Sequence, residues 1–178
     1  METTYTAQPT LSFGQAMSQA LGRLCTLKGR SRRSEFWWFM LIFVILYCII
    51  SSFISIFVEL LAAQIIEQAL CLVAVPITVR RLHDCGHSGW WCILSWLSST
   101  AISILFITSG AADDLMSING DFIAAMERMN TLPVKIISAI SVVTSIATFI
   151  FCFIDSQKKA NRYGNSPKYV ANSTIEEP

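Results

Sequence analysis

Three stretches of this chain run for the width of a bilayer without a charged side chain. Phe36 to Val58 is 23 residues long, and Gly89 to Thr108 and Ile136 to Ile154 are comparable. A helix needs roughly 20 apolar residues to cross a hydrocarbon core of about 30 Å. A buried helix of a soluble protein would carry a polar stripe at its 3.6-residue period, and these stretches have almost none. Each therefore predicts a transmembrane helix. The first follows 35 mostly polar residues and exceeds the apolar core of a signal peptide, so it is expected to stay in the membrane as an anchor.

Leu60 to Val79 is less plain, because its first half carries Gln64, Glu67 and Gln68. As a span it would set Glu67 twelve residues from Val79, about 18 Å along the axis and near the outer interface. The basic residues decide for a span. With four crossings, Arg23, Lys28, Arg30, Arg32, Arg33, Arg80, Arg81, Lys158, Lys159, Arg162 and Lys168 share one side, and of the 13 basic residues only Arg128 and Lys135 fall on the other. That is the positive-inside distribution. The expectation is an all-α bundle with spans at about 36–58, 60–79, 89–108 and 134–154 and both termini cytoplasmic. Residues 11–168 form the single membrane domain, and residues 1–10 and 169–178 are read as disordered tails.

Shorter patterns fill in this frame. Phe13, Ala16, Met17, Ala20, Leu21, Leu24 and Leu27 recur at helical spacing, and Ser12 with Gln15 fits a capping box. An amphipathic helix in the cytoplasmic interface follows, the alternative being a helix packed under the bundle. Trp37, Trp38, Trp90 and Trp91 fall where an aromatic belt belongs. Pro76 predicts a kink near the inner end of the second span. The outer loop, Ser109 to Pro133, is acidic, with a short helix expected over Asp121 to Met129. Ser95, Ser99 and Ser103 share one helix face, and Ser51 with Ser55 and Ser141 with Ser145 repeat the spacing, which suits close helix packing. Composition agrees: only 14% of residues are charged, against about 25% in soluble domains. Cys48, Cys71, Cys92 and Cys152 fall one per span, Cys25 and Cys85 are cytoplasmic, and none lies where disulfides form.

Three polar strings remain, all on the basic side. They are Gly29-Arg30-Ser31-Arg32-Arg33-Ser34-Glu35-Phe36-Trp37, then Arg80-Arg81-Leu82-His83-Asp84-Cys85-Gly86-His87-Ser88-Gly89-Trp90-Trp91 after Pro76, and Asn161-Arg162-Tyr163-Gly164-Asn165-Ser166-Pro167. In kind and order they resemble the bacterial inner-membrane family catalogued as domain of unknown function 805, over about residues 13–168. The resemblance implies four spans and a bacterial plasma-membrane location, and it supplies no activity.

The strings give a candidate cluster: Arg30, Arg32, Arg33, Glu35, Arg80, Arg81, His83, Asp84, Gly86, Ser88, Gly89, Trp90, Tyr163 and Gly164. Glu35 or Asp84 paired with a neighbouring arginine would tie the helix ends together. Gly86 and Gly89 would permit a tight turn, and the spare arginines would face lipid phosphates. A metal site is the sharper alternative, since His83, Cys85 and His87 alternate and would share one side of an extended loop, with Asp84 and Cys25 as further donors. Their spacing departs from the usual zinc pairs. Ser88 with His83 and Asp84 has the residue types of a hydrolase, without a nucleophile elbow. A transporter reading rests on Glu67, an intramembrane acid, with Gln64 and the serines. The leading expectation is a non-enzymatic membrane protein without a cofactor. Its cluster would meet anionic lipid headgroups, or else a protein partner or second copy, and no nucleic acid.

Overall fold

The computed structural model describes residues 4–117 and 120–172. Helix α1 (Phe13–Leu21) precedes α2 (Arg33–Phe57), and a short break leads into α3 (Leu60–Cys71). A 3-10 turn (Leu72–Ala74) joins α3 to α4 (Val75–Asp84), and α5 is Trp90–Thr108. Two short helices, α6 (Ala111–Met116) and α7 (Phe122–Met129), lead to α8 (Leu132–Phe153). Four helical segments are long and apolar enough to cross a membrane: Arg33–Phe57, Leu60–Asp84, Trp90–Thr108 and Leu132–Phe153. The protein is a bundle of four transmembrane helices, and it is apolar on its outside: Phe53, Ile56, Phe57 and Ile65 are all more than half exposed. A bilayer would cover that surface.

The second span departs from its expected boundary. The helix does not stop at Val79 but runs to Asp84. The string from Arg80 to Asp84 is therefore its last turn and a half, not a loop. Pro76 sits in the first turn of α4, directly after the 3-10 turn. Its missing N–H and its ring interrupt the α-helical hydrogen-bond ladder, and the 3-10 turn lies where that interruption falls.

Polar residues within the spans pair across helix contacts. Ser95 meets Ser145 at 2.6 Å and Ser99 meets Ser141 at 3.0 Å, an antiparallel register between α5 and α8. Ser51 donates to Glu67 at 2.5 Å between α2 and α3, and Thr100 donates to Gln68 at 2.8 Å between α5 and α3. Small hydroxyl residues let the backbones approach and satisfy one another where no water is present. At Gly89 a Cβ would lie 2.6 Å from Val79 Cγ1, so only glycine admits the α4–α5 contact.

The amphipathic segment is helical, with both capping-box hydrogen bonds between Ser12 and Gln15. Its Ala16 and Ala20 are fully buried, Ala20 against Phe36 and Phe39 of α2, while Phe13 and Leu21 stay exposed. Asp121 is the N-cap of α7, accepting from the Ala124 N–H. The expectation of disordered tails is corrected. Strand β1 (Thr4–Ala7) pairs antiparallel with β2 (Tyr169–Asn172), Thr4 opposite Asn172. Asp155 anchors the second strand through Lys168 and Tyr169. Burial pulls the Asp155 carboxyl upward, but hydrogen bonds from Lys168, the Ser156 N–H and Tyr169 outweigh it and hold it at about 2. Residues 1–3 and 173–178 lie outside the described residues.

Candidate functional site

The N-termini of α2 and α5 and the C-termini of α4 and α8 share one end of the bundle, and all three polar strings meet there. The largest fully buried side chains of the described residues are Arg80 and Arg81. Burying a guanidinium in a membrane protein demands a counter-charge and a full set of acceptors. Two carboxylates and many backbone carbonyls supply them.

Asp84 organises the first group. One carboxylate oxygen accepts from Arg30 Nε at 2.9 Å; the other accepts from Arg81 Nη1 at 2.6 Å and from the Ser156 hydroxyl. Arg30 commits its remaining donors to the carbonyls of Asp84, Gln157, Lys159 and Gly164. All five guanidinium N–H groups are thus used. Arg81 donates to the carbonyls of Cys152 and Ile154, where α8 ends. A cation is favourable at a helix C-terminus and satisfies carbonyls that have no intrahelical partner. This group joins the residues before α2, the end of α4 and the end of α8.

Glu35 organises the second. It accepts from Arg23 Nη2 at both oxygens, at 2.9 and 3.0 Å, and from the Ser31 hydroxyl at 3.1 Å. Arg80 Nη2 stands 3.6 Å away. Arg80 also donates to Ser31 Oγ and to the carbonyls of Arg23 and Thr26, the turn that follows α1. Nη2 itself has no hydrogen bond. Arg32 is buried and donates to the carbonyls of Gln8 and Pro9, securing the amino-terminal strand.

The remaining candidates divide. The His83 ring stacks on Tyr163, 3.6 Å between centroids, and its Nδ1 lies 3.2 Å from the Gly29 carbonyl. Gly86 turns the chain at φ +82°, where a Cβ would strike the Gln157 side chain. Gly164 holds φ +123° and offers its carbonyl to Arg30. Arg33 and Trp90 are exposed and stand outside the buried groups. Ser88 accepts from the Trp90 N–H, His83 Nδ1 lies beside the Gly29 carbonyl and Asp84 is held by Arg30 and Arg81, so each of the three has a partner outside a Ser–His–Asp relay.

The metal alternative is overturned. His87 stacks on Phe151, His83 on Tyr163, and the Cys85 thiol donates to the carbonyls of Phe151 and Ile154. Residues 83 to 85 end a helix, where positions two apart diverge around the axis. Among the described residues no three His, Cys, Asp or Glu side chains are placed to hold a metal ion. Cys25 is exposed.

Burial pushes the Cys85 thiol up, and thiols react as thiolates. With single-cysteine variants, a water-soluble maleimide is expected to label Cys25 quickly in the folded protein and Cys85 only on unfolding. Equal labelling rates would contradict this placement.

Arg23, Ser31, Ser156 and Gln157 join the cluster without having been candidates. Ser31 stood within the first string, and the change to polar residues after Ile154 was the one signal for Ser156 and Gln157.

Fold and site together define a polytopic helical membrane protein whose helices are tied at one end by buried arginine–carboxylate groups. The chain belongs to the family described as "Protein of unknown function (DUF805)", whose model matches residues 24–165. That match runs from the turn after α1 into the third string. The chain is also similar to "Inner membrane protein YhaI" of Escherichia coli K12, 34% identical over 92 residues that cover 47% of this chain and 75% of that protein. The protein of the same name from Escherichia coli O157:H7 matches equally. No solved structure matches.

Proposed function

We propose that this is a non-enzymatic inner-membrane protein that holds anionic phospholipid headgroups on a basic rim around a structural ion-pair lock. Both termini and the motif end would face the cytoplasm. The orientation is supported by the eleven of 13 basic residues at that end and by the positive-inside rule. One observation carries the functional reading. Arg30, Arg80 and Arg81 are spent on the protein itself, whereas Lys28, Arg33, Lys158, Lys159 and Arg162 are exposed around them. Headgroup contact therefore falls to the rim of the cluster and not to its buried core. Arg162 lies 4.7 Å over the Tyr163 ring, and so stands at the edge of the site rather than inside it.

Native mass spectrometry of the purified protein tests this, with phosphatidylglycerol and phosphatidylcholine offered in equal amounts. Each basic residue near an anionic surface contributes about 1 kcal/mol, so Arg33→Gln with Arg162→Gln should lower phosphatidylglycerol retention many-fold and leave phosphatidylcholine unchanged. Equal retention of the two lipids, indifferent to those substitutions, would defeat the proposal.

A further inference from the structure

A cleft of about 720 Å³ opens between α2 and α8 at the motif end, with α4 and α5 behind it. Its size falls in the range of about 300–1,000 Å³ usual for ligand sites. Its walls are mostly apolar: Trp37, Met40, Leu41 and Val44 from α2, and Phe149 from α8. Ser145 and Ser95, bonded to each other, lie at its deep end. From Ser34 at the mouth to Val44 is ten residues, roughly 15 Å of helix, or half of a hydrocarbon core about 30 Å thick. The cleft therefore runs from the interface to the middle of the bilayer, the reach of one leaflet.

We infer that this cleft seats one acyl chain of a phospholipid from the motif-side leaflet. Charge complementarity at the mouth identifies the lipid as anionic. The mouth is formed by Ser34 and Trp38 at the start of α2, beside the exposed Arg33. The N-cap of α2, Arg32, makes no side-chain capping bond. Glu35, the acid in the first turn of that 25-residue helix, is buried and already held by Arg23, which leaves the exposed Arg33 as the charge beside the mouth. The acyl seat stands on the cleft alone, while the choice of headgroup rests on the function proposed above.

The experiment uses the full chain in phosphatidylcholine nanodiscs doped with a phospholipid bearing a mid-chain diazirine, either phosphatidylglycerol or phosphatidylcholine. After irradiation, adducts are mapped by peptide mass spectrometry. Adducts should concentrate at Met40, Leu41, Val44 and Phe149, several-fold above lipid-facing Leu46 and Val143. The phosphatidylglycerol probe should exceed the phosphatidylcholine probe roughly fivefold, the weight of one surface arginine. Val44→Trp, which fills the deep half, should remove the cleft adducts and spare those at Leu46. Labelling spread evenly over both sets of residues would overturn the seat, and needs no variant to be read. Cleft adducts equal for the two headgroups would leave the acyl seat standing and overturn the anionic selection.

Discussion

Replacing Asp84 by asparagine is expected to destabilise the protein by about 3–5 kcal/mol, the range for removing one partner of a buried ion pair. Asparagine keeps the shape and one carbonyl acceptor but removes the charge facing Arg30 and Arg81, whose side chains are at most 1% exposed. Neither guanidinium can turn to water without dismantling the contacts that Arg30 makes to the Gln157 and Gly164 carbonyls and Arg81 to the end of α8. For a chain of this length the loss corresponds to a fall in melting temperature on the order of 10 °C, measurable in detergent or nanodiscs. A double-mutant cycle with Arg30→Met should show strong coupling, since the second substitution removes a charge already left unpaired. An unchanged melting temperature would mean that the arginines do not need Asp84.

Glu35→Gln is the second large effect, about 1.5–3 kcal/mol by the scale of hydrogen bonds to charged groups. Two features separate it from Asp84. Arg23, which holds both oxygens, has a side chain 38% exposed and can turn to solvent. Arg80 cannot: it is fully buried, and Glu35 is the only carboxylate near its unbonded Nη2 among the described residues. The cost should therefore fall on the junction of α1 with α4, where Arg80 holds the Arg23 and Thr26 carbonyls. Limited proteolysis should cut faster in the turn after α1 while the spans stay protected. Unaltered cleavage would assign the attachment of α1 to its alanine contacts alone.

The four crossings were legible because lipid imposes a simple rule on length and apolarity, and because charge asymmetry rescued the segment with Glu67. The end of the second span was not legible for the same reason. A rule that excludes charge from helices in membranes stops the helix at Val79, whereas the protein carries it to Asp84 by pairing every charge it buries. The alternation of His83, Cys85 and His87 misled because it presumes extended backbone. A helix end and a turn separate those side chains.

Glu35 and Asp84 could be read as arginine partners from their proximity to basic strings, but their particular partners could not. Arg30 and Asp84 are 54 positions apart, and that meeting depends on how α2 and α4 dock. Backbone carbonyls are still less visible, since every residue has one, yet they take most of the donors of Arg30 and Arg81. The paired tails were hidden likewise: four-residue strands carry little pattern, and Thr6 and Asn172 bond across 166 positions.

In the proposed function the arginines divide the labour, buried ones holding the helices and exposed ones meeting lipid. Melting temperature and phosphatidylglycerol retention measured together, on Asp84→Asn and on Arg33→Gln with Arg162→Gln, test it most directly. The first variant should lose stability while the molecules that remain folded keep their lipid preference; the second should lose the preference and keep its melting temperature. The reverse pattern, a stable Asp84→Asn protein without lipid selectivity, would make the cluster itself the binding site and contradict the account.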